Sequence, residues 1–162
     1  MLSDQVKERP VAAALEARNP SAITGGKFQL GEVTLEIDAA QILDVCSFLK
    51  HSQQFNRLSA VTAVDWYPVE PRFEVVYHLH SLEKNERLRL KCKVHGEQPE
   101  IDSVCSVWRG ADWYEREVFD LFGITFRHHP NMIRIMMPEG WEGHPLRKDY
   151  PVHGYKYSYT DE

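Results

Sequence analysis

The sequence predicts an α+β fold: a two-layer domain with a mixed, largely antiparallel sheet packed by helices, followed by an extended C-terminal arm. Two neighbouring runs of apolar alternation predict a hairpin, and apolar residues at helical spacing on both sides of it predict helices. Beyond residue 137 the chain is rich in proline and glycine and shows neither period. We therefore place the core domain at residues 1–137 and the arm at residues 138–162.

The composition is that of a single soluble globular domain. The chain has 162 residues, of which 43% are hydrophobic and 27% charged, and its mean hydropathy is −0.46. No apolar run approaches the roughly 18 to 20 residues that span a bilayer, and Asp4, Glu8 and Glu16 do not fit a transit peptide. A net charge of −5 argues against nucleic acid as the main partner.

The three cysteines, Cys46, Cys92 and Cys105, are odd in number and widely spaced. This pattern favours buried thiols in a reducing cytoplasm over a disulfide framework. Three scattered thiols also cannot supply the four thiolates of an iron–sulfur cluster. The sequence has neither Gly-x-Gly-x-x-Gly nor a Gly-Lys-Ser/Thr loop, so we expect no nucleotide site and no cofactor in this chain.

The predicted hairpin has one buried face and one basic face. Apolar residues occupy alternate positions on its two strands: Phe73, Val75, Tyr77 and Leu79, then Leu88, Leu90, Cys92 and Val94. The intervening positions of the second strand carry Arg87, Arg89, Lys91 and Lys93. We expect this basic row to be a solvated strand face, although it could also bind acidic partners or phosphates.

Residues 1–67 alternate between helical and extended patterns. The expected elements are a helix from Pro10 to Arg18, a turn at Gly25-Gly26, a strand from Val33 to Ile37, an N-cap at Asp38, a helix from Ile42 to near His51, and a strand from Leu58 to Tyr67.

A further helix is predicted after Gly110-Ala111, and a helical piece over residues 101–109 precedes it. Asp112 stands three residues before Glu115, which is the spacing of a capping box. Apolar residues then recur at helical spacing, and Gly123 is expected to end the helix. A short strand is expected near residues 133–137.

Glu115, Glu117 and Asp120 on this helix could be paired carboxylates for acid–base chemistry. A structural explanation is favoured, because Glu115 completes the capping box and Arg116 can pair with Asp120 at i, i+4. We expect the charged face of this helix to dock a partner.

The pair His78-x-His80 has the spacing of two metal ligands on one strand face. No acidic or cysteine ligand stands at a supporting distance in the sequence, and the adjacent His128 and His129 would point apart on a regular element. A stand-alone metal-dependent enzyme using His78 and His80 is therefore an alternative hypothesis, and no metal site is the expectation.

Two segments carry a resemblance to a known family. The first contains Glu115-Arg116-Glu117, Asp120-Leu121-Phe122-Gly123-Ile124 and His129-Pro130, and the second is Trp141-Glu142-Gly143-His144-Pro145-Leu146-Arg147-Lys148-Asp149-Tyr150-Pro151. Both closely resemble the C subunit of NADH-quinone oxidoreductase, which is the 30 kDa subunit of respiratory complex I. His128 and Ile133 depart from that pattern, where glycine and a basic residue are common.

The resemblance implies a cofactor-free structural subunit in the peripheral arm of a proton-translocating NADH:quinone oxidoreductase, without an activity of its own. It implies contacts with the D subunit, which helps form the quinone site, and with the iron–sulfur subunits, on the cytoplasmic side of the bacterial inner membrane. The expected interface residues are Glu115, Arg116, Glu117, Asp120, His129, Trp141, Arg147, Lys148, Asp149 and Tyr150.

Other assignments stay open at this stage. The chain could be the equivalent subunit of a related membrane-bound hydrogenase or ferredoxin-driven complex, or a peptide-binding module that offers a sheet edge. We expect the arm to lie along a partner, with Trp141 and Arg147 as the most costly residues to change. Truncation after Met137 would then leave the domain's stability nearly unchanged; alternatively, the arm folds back over its own domain.

Overall fold

The computed structural model describes residues 4–154, so the last part of the predicted arm, residues 155–162, lies outside the described residues. The strands are β1 (Ile23–Gln29), β2 (Glu32–Ile37), β3 (Arg57–Asp65), β4 (Phe73–Ser81), β5 (Glu86–Val94), β6 (Glu100–Asp102) and β7 (Thr125–Arg127). The helices are α1 (Asp4–Lys7), α2 (Pro10–Arg18), α3 (Ile42–Gln53) and α4 (Ala111–Phe122), with 3₁₀ turns at Pro20–Ala22 and Ala39–Gln41.

The first five strands form one mixed sheet in the order β1-β2-β5-β4-β3. The pairs β1–β2, β4–β5 and β3–β4 are antiparallel, whereas β2 and β5 run parallel in the middle of the sheet. The short strands β6 and β7 form a separate parallel pair. The predicted mixed, largely antiparallel sheet and the β4–β5 hairpin are both confirmed.

The core lies between one face of the large sheet and the helices. Alternate residues of the strands point into it, among them Leu35, Val61, Tyr77 and Leu90, and they pack in one cluster with the apolar residues of α2, α3 and α4. Burial of this face supplies the main favourable free energy of folding, because each fully buried aliphatic or aromatic side chain contributes about 1.5 to 3 kcal/mol. The domain is thus two-layered, as predicted.

Several predicted boundaries are confirmed. Helix α2 has Pro10 at its start, where the missing N–H costs no helical hydrogen bond. The Asp38 carboxylate accepts a hydrogen bond from the Ala40 N–H at 3.0 Å and caps the 3₁₀ turn before α3. Gly123 ends α4 in the left-handed conformation, with φ at 72°, and its N–H donates to the Phe119 carbonyl.

Three local predictions are wrong. Gly25-Gly26 lies inside β1, and the turn between β1 and β2 falls at Leu30-Gly31, where both φ values are positive at 54° and 80°. The segment 101–109 is not helical, because Glu100–Asp102 pairs with Thr125–Arg127. The expected strand near residues 133–137 is also absent from the described structure, in which backbone N–H groups of this segment bond to a side chain of α4.

The described part of the arm returns over its own domain. The Leu146 N–H donates to the Leu121 carbonyl at 3.0 Å, and the Lys148 N–H donates to the Asp65 carboxylate at 2.8 Å. The folded-back alternative therefore describes residues 138–154. Within residues 4–154 we find no helix with the length and hydropathy of a membrane-spanning segment.

A candidate partner-binding surface

Glu115 points into the domain instead of capping α4. The helix begins after Gly110 without a side-chain cap, so the predicted capping box is wrong. The buried Glu115 carboxylate accepts hydrogen bonds from the Val104 N–H at 2.7 Å and the Ser103 hydroxyl at 2.6 Å. Burial raises the pKa of Glu115, although these hydrogen bonds oppose the rise. The carboxylate fixes the loop before α4 against the helix.

Cys105, Glu115 and His129 are the one group of three potential metal ligands in residues 4–154. The hydrogen bonds of these side chains favour protonated groups that donate to neighbouring oxygen atoms over a bound metal ion. The Asn131 N–H lies 3.0 Å from Nδ1 of His129, so Nδ1 accepts and Nε2 carries the proton. Nε2 therefore donates towards Asp112, whose carbonyl oxygen is 3.3 Å away. A metal at Nε2 would have to displace this proton.

The thiol and the other histidines give no better metal site. Burial raises the pKa of Cys105 to about 12, which disfavours the thiolate that a metal needs. His78 and His80 share one face of β4, but in the described part of the chain they belong to no group of three potential ligands. The hypothesis of a metal-dependent enzyme using His78 and His80 gains no support from this geometry.

Asp120 is the anchor of the segment that follows β7. Its buried Oδ2 accepts hydrogen bonds from the N–H groups of Ile135, Met136 and Met137 at 3.0, 2.7 and 2.9 Å. Its Oδ1 accepts from Arg134 at 2.9 Å. Burial alone would raise the pKa of Asp120, but these four donors outweigh it and lower the pKa. One carboxylate thus shapes residues 134–137 into a fixed loop.

Arg116 binds the segment just before this loop. Its Nε donates to the Ile133 carbonyl at 3.0 Å, and its guanidinium lies 5.0 Å from the centre of the Trp113 ring. Its carboxylate neighbour at i, i+4 spacing is Asp112 at 4.0 Å. The predicted pairing of Arg116 with Asp120 is wrong, because the Asp120 carboxylate bonds Arg134 and the guanidinium of Arg116 bonds the Ile133 carbonyl.

Arg147 completes the end of α4. Its Nε donates to the Phe122 carbonyl at 2.6 Å and its Nη2 to the Gly123 carbonyl at 3.3 Å. The last carbonyls of a helix have no partner within the helix and carry the negative end of its dipole, so a guanidinium there is stabilising. His144 adds a hydrogen bond from Nδ1 to the Asp120 carbonyl at 2.9 Å.

A second anchor holds the arm beyond this point. Arg72 binds both oxygens of Asp65, at 2.9 and 2.8 Å, and both oxygens of Asp149, at 3.0 and 2.6 Å. Burial opposes ionisation of Asp65, but hydrogen bonds from Arg72, Lys148 and Tyr67 lower its pKa to about 2. The hydrogen bonds to Asp65 and Asp149 in turn raise the pKa of Arg72.

The anchors Asp65, Arg72 and Arg134 were missed from the sequence. Arg72 and Asp149 are 77 residues apart, and the periodicity of a strand or helix gives no signal for such a contact. The one hint was local: Arg72 stands between Pro71 and the first apolar residue of a buried strand, which is an unusual place for a charge without a partner.

The expected interface residues divide into an inner and an outer set. Glu115, Arg116, Asp120 and the His129 side chain are buried and bonded within the chain. Glu117, Lys148, Asp149 and Trp141 are exposed, and Arg147 and Tyr150 are partly buried. The interface role of the whole set stays a prediction. The inner residues hold the backbone of residues 133–137 in place, and the outer residues are exposed on the same part of the chain.

Large apolar side chains lie on that surface. Trp113 is 62% exposed, Met136 55%, Ile133 and Leu146 51%, and Trp141 36%. We call these five residues the α4–arm surface. Exposed aromatic and aliphatic side chains on a rigid, hydrogen-bonded framework are typical of protein interfaces.

The framework residues fall in a segment matched by a family model. Residues 35–156 match the model described as respiratory-chain NADH dehydrogenase, 30 Kd subunit. This match covers most of the chain, and the chain therefore belongs to that family of respiratory-complex subunits. The resemblance found in the sequence is confirmed.

Relatives within the family carry one recurrent name. The chain is 43% identical over 153 residues to the C subunit of the NADH-quinone oxidoreductase of Geotalea uraniireducens, covering 94% of this chain and 93% of the relative. It is 46% identical over 151 residues to the protein of that name in Geobacter sulfurreducens, covering 93% and 88%.

Two solved structures are similar to this fold. The trypsin-resistant fragment (1–134) of Nqo5 aligns with a TM-score of 0.65 at 29% identity, covering 74% of this chain and 96% of that chain. A chain of the membrane-bound sulfane sulfur reductase, an archaeal respiratory membrane complex, aligns with a TM-score of 0.72 at 26% identity, covering 94% of both chains.

Proposed function

We propose that this chain is a structural subunit, without a cofactor or catalytic activity of its own, in the peripheral arm of a proton-translocating NADH:quinone oxidoreductase. It binds other subunits of that complex, chiefly the D subunit and the iron–sulfur subunits. Its place is the cytoplasmic side of the bacterial inner membrane, where it associates with the membrane through the complex.

The observation that carries the proposal is that the charged side chains along α4 and the arm form hydrogen bonds to the backbone of their own chain. Asp120, Arg116 and Arg147 bond backbone groups of the same chain. Groups committed in this way are not free to act on a substrate, but they hold the exposed apolar residues in fixed positions. Pre-ordering of a surface lowers the entropic cost of binding a partner.

A related respiratory complex is the second candidate. The sulfane sulfur reductase chain aligns over 94% of both chains, which supports a shared architecture among such complexes. Membranes that oxidise NADH with a quinone as acceptor, and stop doing so without this chain, support the first assignment. Membranes whose NADH oxidation is independent of the chain support the second.

The test introduces charge into the α4–arm surface. Met136→Asp combined with Trp141→Asp should leave the chain folded, because both side chains are exposed. It should prevent co-purification with the other subunits and abolish NADH-to-quinone electron transfer in membranes. Leu30→Asp combined with Leu82→Asp is the matched control, since both side chains are exposed outside the α4–arm surface and Leu30 has a positive φ that Asp tolerates. Normal assembly of the double variant would contradict the proposal.

A further inference from the structure

The face of the large sheet opposite the helices carries a concentration of arginines. Arg57, His78, His80, Arg87 and Arg89 line a hollow of about 470 Å³ on this face. We call these five residues the basic hollow. Within residues 4–154, the helices pack in the cluster on the other face of the sheet, so the hollow opens outward.

Strand register brings the five side chains together. His78 lies opposite Arg89, and His80 opposite both Arg87 and Arg57, across the β4–β5 and β3–β4 pairs. Directly opposed residues of antiparallel strands project to the same face. The cross-strand partner of His78 on β3 is Ala60, whose small side chain leaves the space that forms the hollow.

In the basic hollow the guanidinium groups outnumber the carboxylate groups that can pair with them. Arg89 bonds Glu32 at 2.6 Å and Thr34 at 3.4 Å. Arg87 lies 3.9 Å from the same carboxylate with its side chain 73% exposed. In residues 4–154 no carboxylate lies within 4.0 Å of the exposed Arg57. Two of the three guanidinium groups therefore share the Glu32 carboxylate, and the third has none within 4.0 Å among the described residues, on a chain whose net charge is −5.

The two histidines add hydrogen-bonding capacity to this charge. Burial and the nearby Arg89 lower the pKa of His78, which keeps this imidazole neutral at neutral pH. A neutral imidazole offers one donor and one acceptor. Arginines pair bidentately with carboxylates, so exposed guanidinium groups beside the His78 imidazole suit a row of acidic side chains.

We propose that the basic hollow docks an acidic peptide segment of another protein subunit. The inference rests on the proposed function and extends it by naming the chemistry of a second partner surface. A nucleic acid or a lipid surface suits the site less well, because the chain is acidic overall and no Phe, Tyr or Trp lines the hollow. With the α4–arm surface on the helical layer, the domain would bridge two partners.

The test reverses charge in the hollow without touching the core. The variant Arg57→Glu/Arg87→Glu changes two exposed side chains. Lys7→Glu/Arg109→Glu is the control, because it makes the same change in net charge at exposed positions outside the hollow and outside the basic row of β5. Each full-length chain is titrated with an octaglutamate peptide, and the purified complex containing it is washed with increasing NaCl.

The hollow variant should bind octaglutamate at least about ten-fold more weakly than the wild type and leave the complex at lower salt. The control should lose less than about two-fold in affinity. Equal losses in the two variants would overturn the inference, as would binding of the wild type to anionic phosphatidylglycerol vesicles but not to the peptide.

The outcome separates this inference from the proposed function. If a wild-type chain does not co-purify with other subunits of an NADH-quinone oxidoreductase, the proposed function fails, whatever the peptide titration gives. If the wild type assembles and the hollow variant is retained to the same salt concentration as the control, the basic hollow alone is wrongly assigned.

Discussion

The arm is held to the domain at two places that differ in chemistry. At the near anchor, Asp120 is fully buried and accepts three backbone N–H groups together with Arg134. At the far anchor, Arg72 lies between the buried Asp65 and Asp149, whose side chain is 42% exposed. The near anchor is a carboxylate bonded mainly to backbone, and the far anchor is a bridge of charged side chains.

This difference determines which part of the arm can be released. If residues 134–137 left the domain, the buried Asp120 carboxylate would remain in the interior without its hydrogen-bond donors. Because that is costly, residues 134–137 belong to the folded domain. An ion pair with one exposed partner contributes much less and is screened by salt. Asp149 can therefore exchange its contacts with Arg72 for contacts with a partner more readily than residues 134–137 can leave Asp120.

The near anchor should give the largest effect. Asp120→Ala leaves three backbone N–H groups and Arg134 without their acceptor, and we expect a loss of about 3 to 5 kcal/mol in the free energy of unfolding. Urea denaturation followed by circular dichroism measures it. Glu117→Ala, at an exposed position of α4, is the control and should cost less than about 0.5 kcal/mol. Similar values for the two variants would show that Asp120 does not anchor the segment.

The far anchor should come second. Arg72→Met removes both ion pairs and leaves Asp65 with backbone donors only, so we expect a loss of about 2 to 3 kcal/mol. Asp149→Asn keeps the Arg72–Asp65 pair and should cost less than about 1 kcal/mol, falling further in high salt. A loss for Asp149→Asn as large as that for Arg72→Met would show that the exposed pair is the stronger one.

The smallest of the three effects is the loss of stability that protonation of Asp65 causes at low pH. The pKa of Asp65 falls from its usual 3.8 to about 2 in the folded state. Its contribution of about 2 kcal/mol is therefore complete above pH 4 and lost as the pH falls from about 4 to about 2. The difference in stability between the wild type and Asp65→Asn, measured by denaturation at each pH, should shrink over this range. A difference that stays constant down to about pH 2 would contradict the assignment.

These anchors alter the expectation for truncation after Met137. An arm that lay only on a partner could be removed at no cost to the domain. The structure assigns Arg147 to the last carbonyls of α4 and Asp149 to Arg72, so the truncated chain should lose stability. Loss of assembly on truncation would then have two causes, and point changes at exposed residues are the cleaner test.

The sequence predicted the features that depend on local pattern. Alternation from Phe73 to Val94 identified the hairpin because the core-facing positions of both strands are apolar, and the αL glycine at residue 123 marked the end of α4. The capping box was predicted from the spacing of Asp112 and Glu115. The prediction was wrong because Glu115 accepts its hydrogen bonds from Ser103 and Val104, which lie outside the helix. The Arg72 anchor joins parts of the chain that no local pattern relates.

The parallel pairing of β2 with β5 has a consequence for how the chain folds. Thr34 and Arg89, which lie opposite each other in this pair, are 55 residues apart, whereas β1–β2 and β4–β5 are joined by short turns. Closing the longer loop costs more chain entropy than closing either hairpin. The middle of the sheet, although it is central in the native structure, thus closes only when the contacts of the hairpins and of the intervening helix α3 can offset that cost.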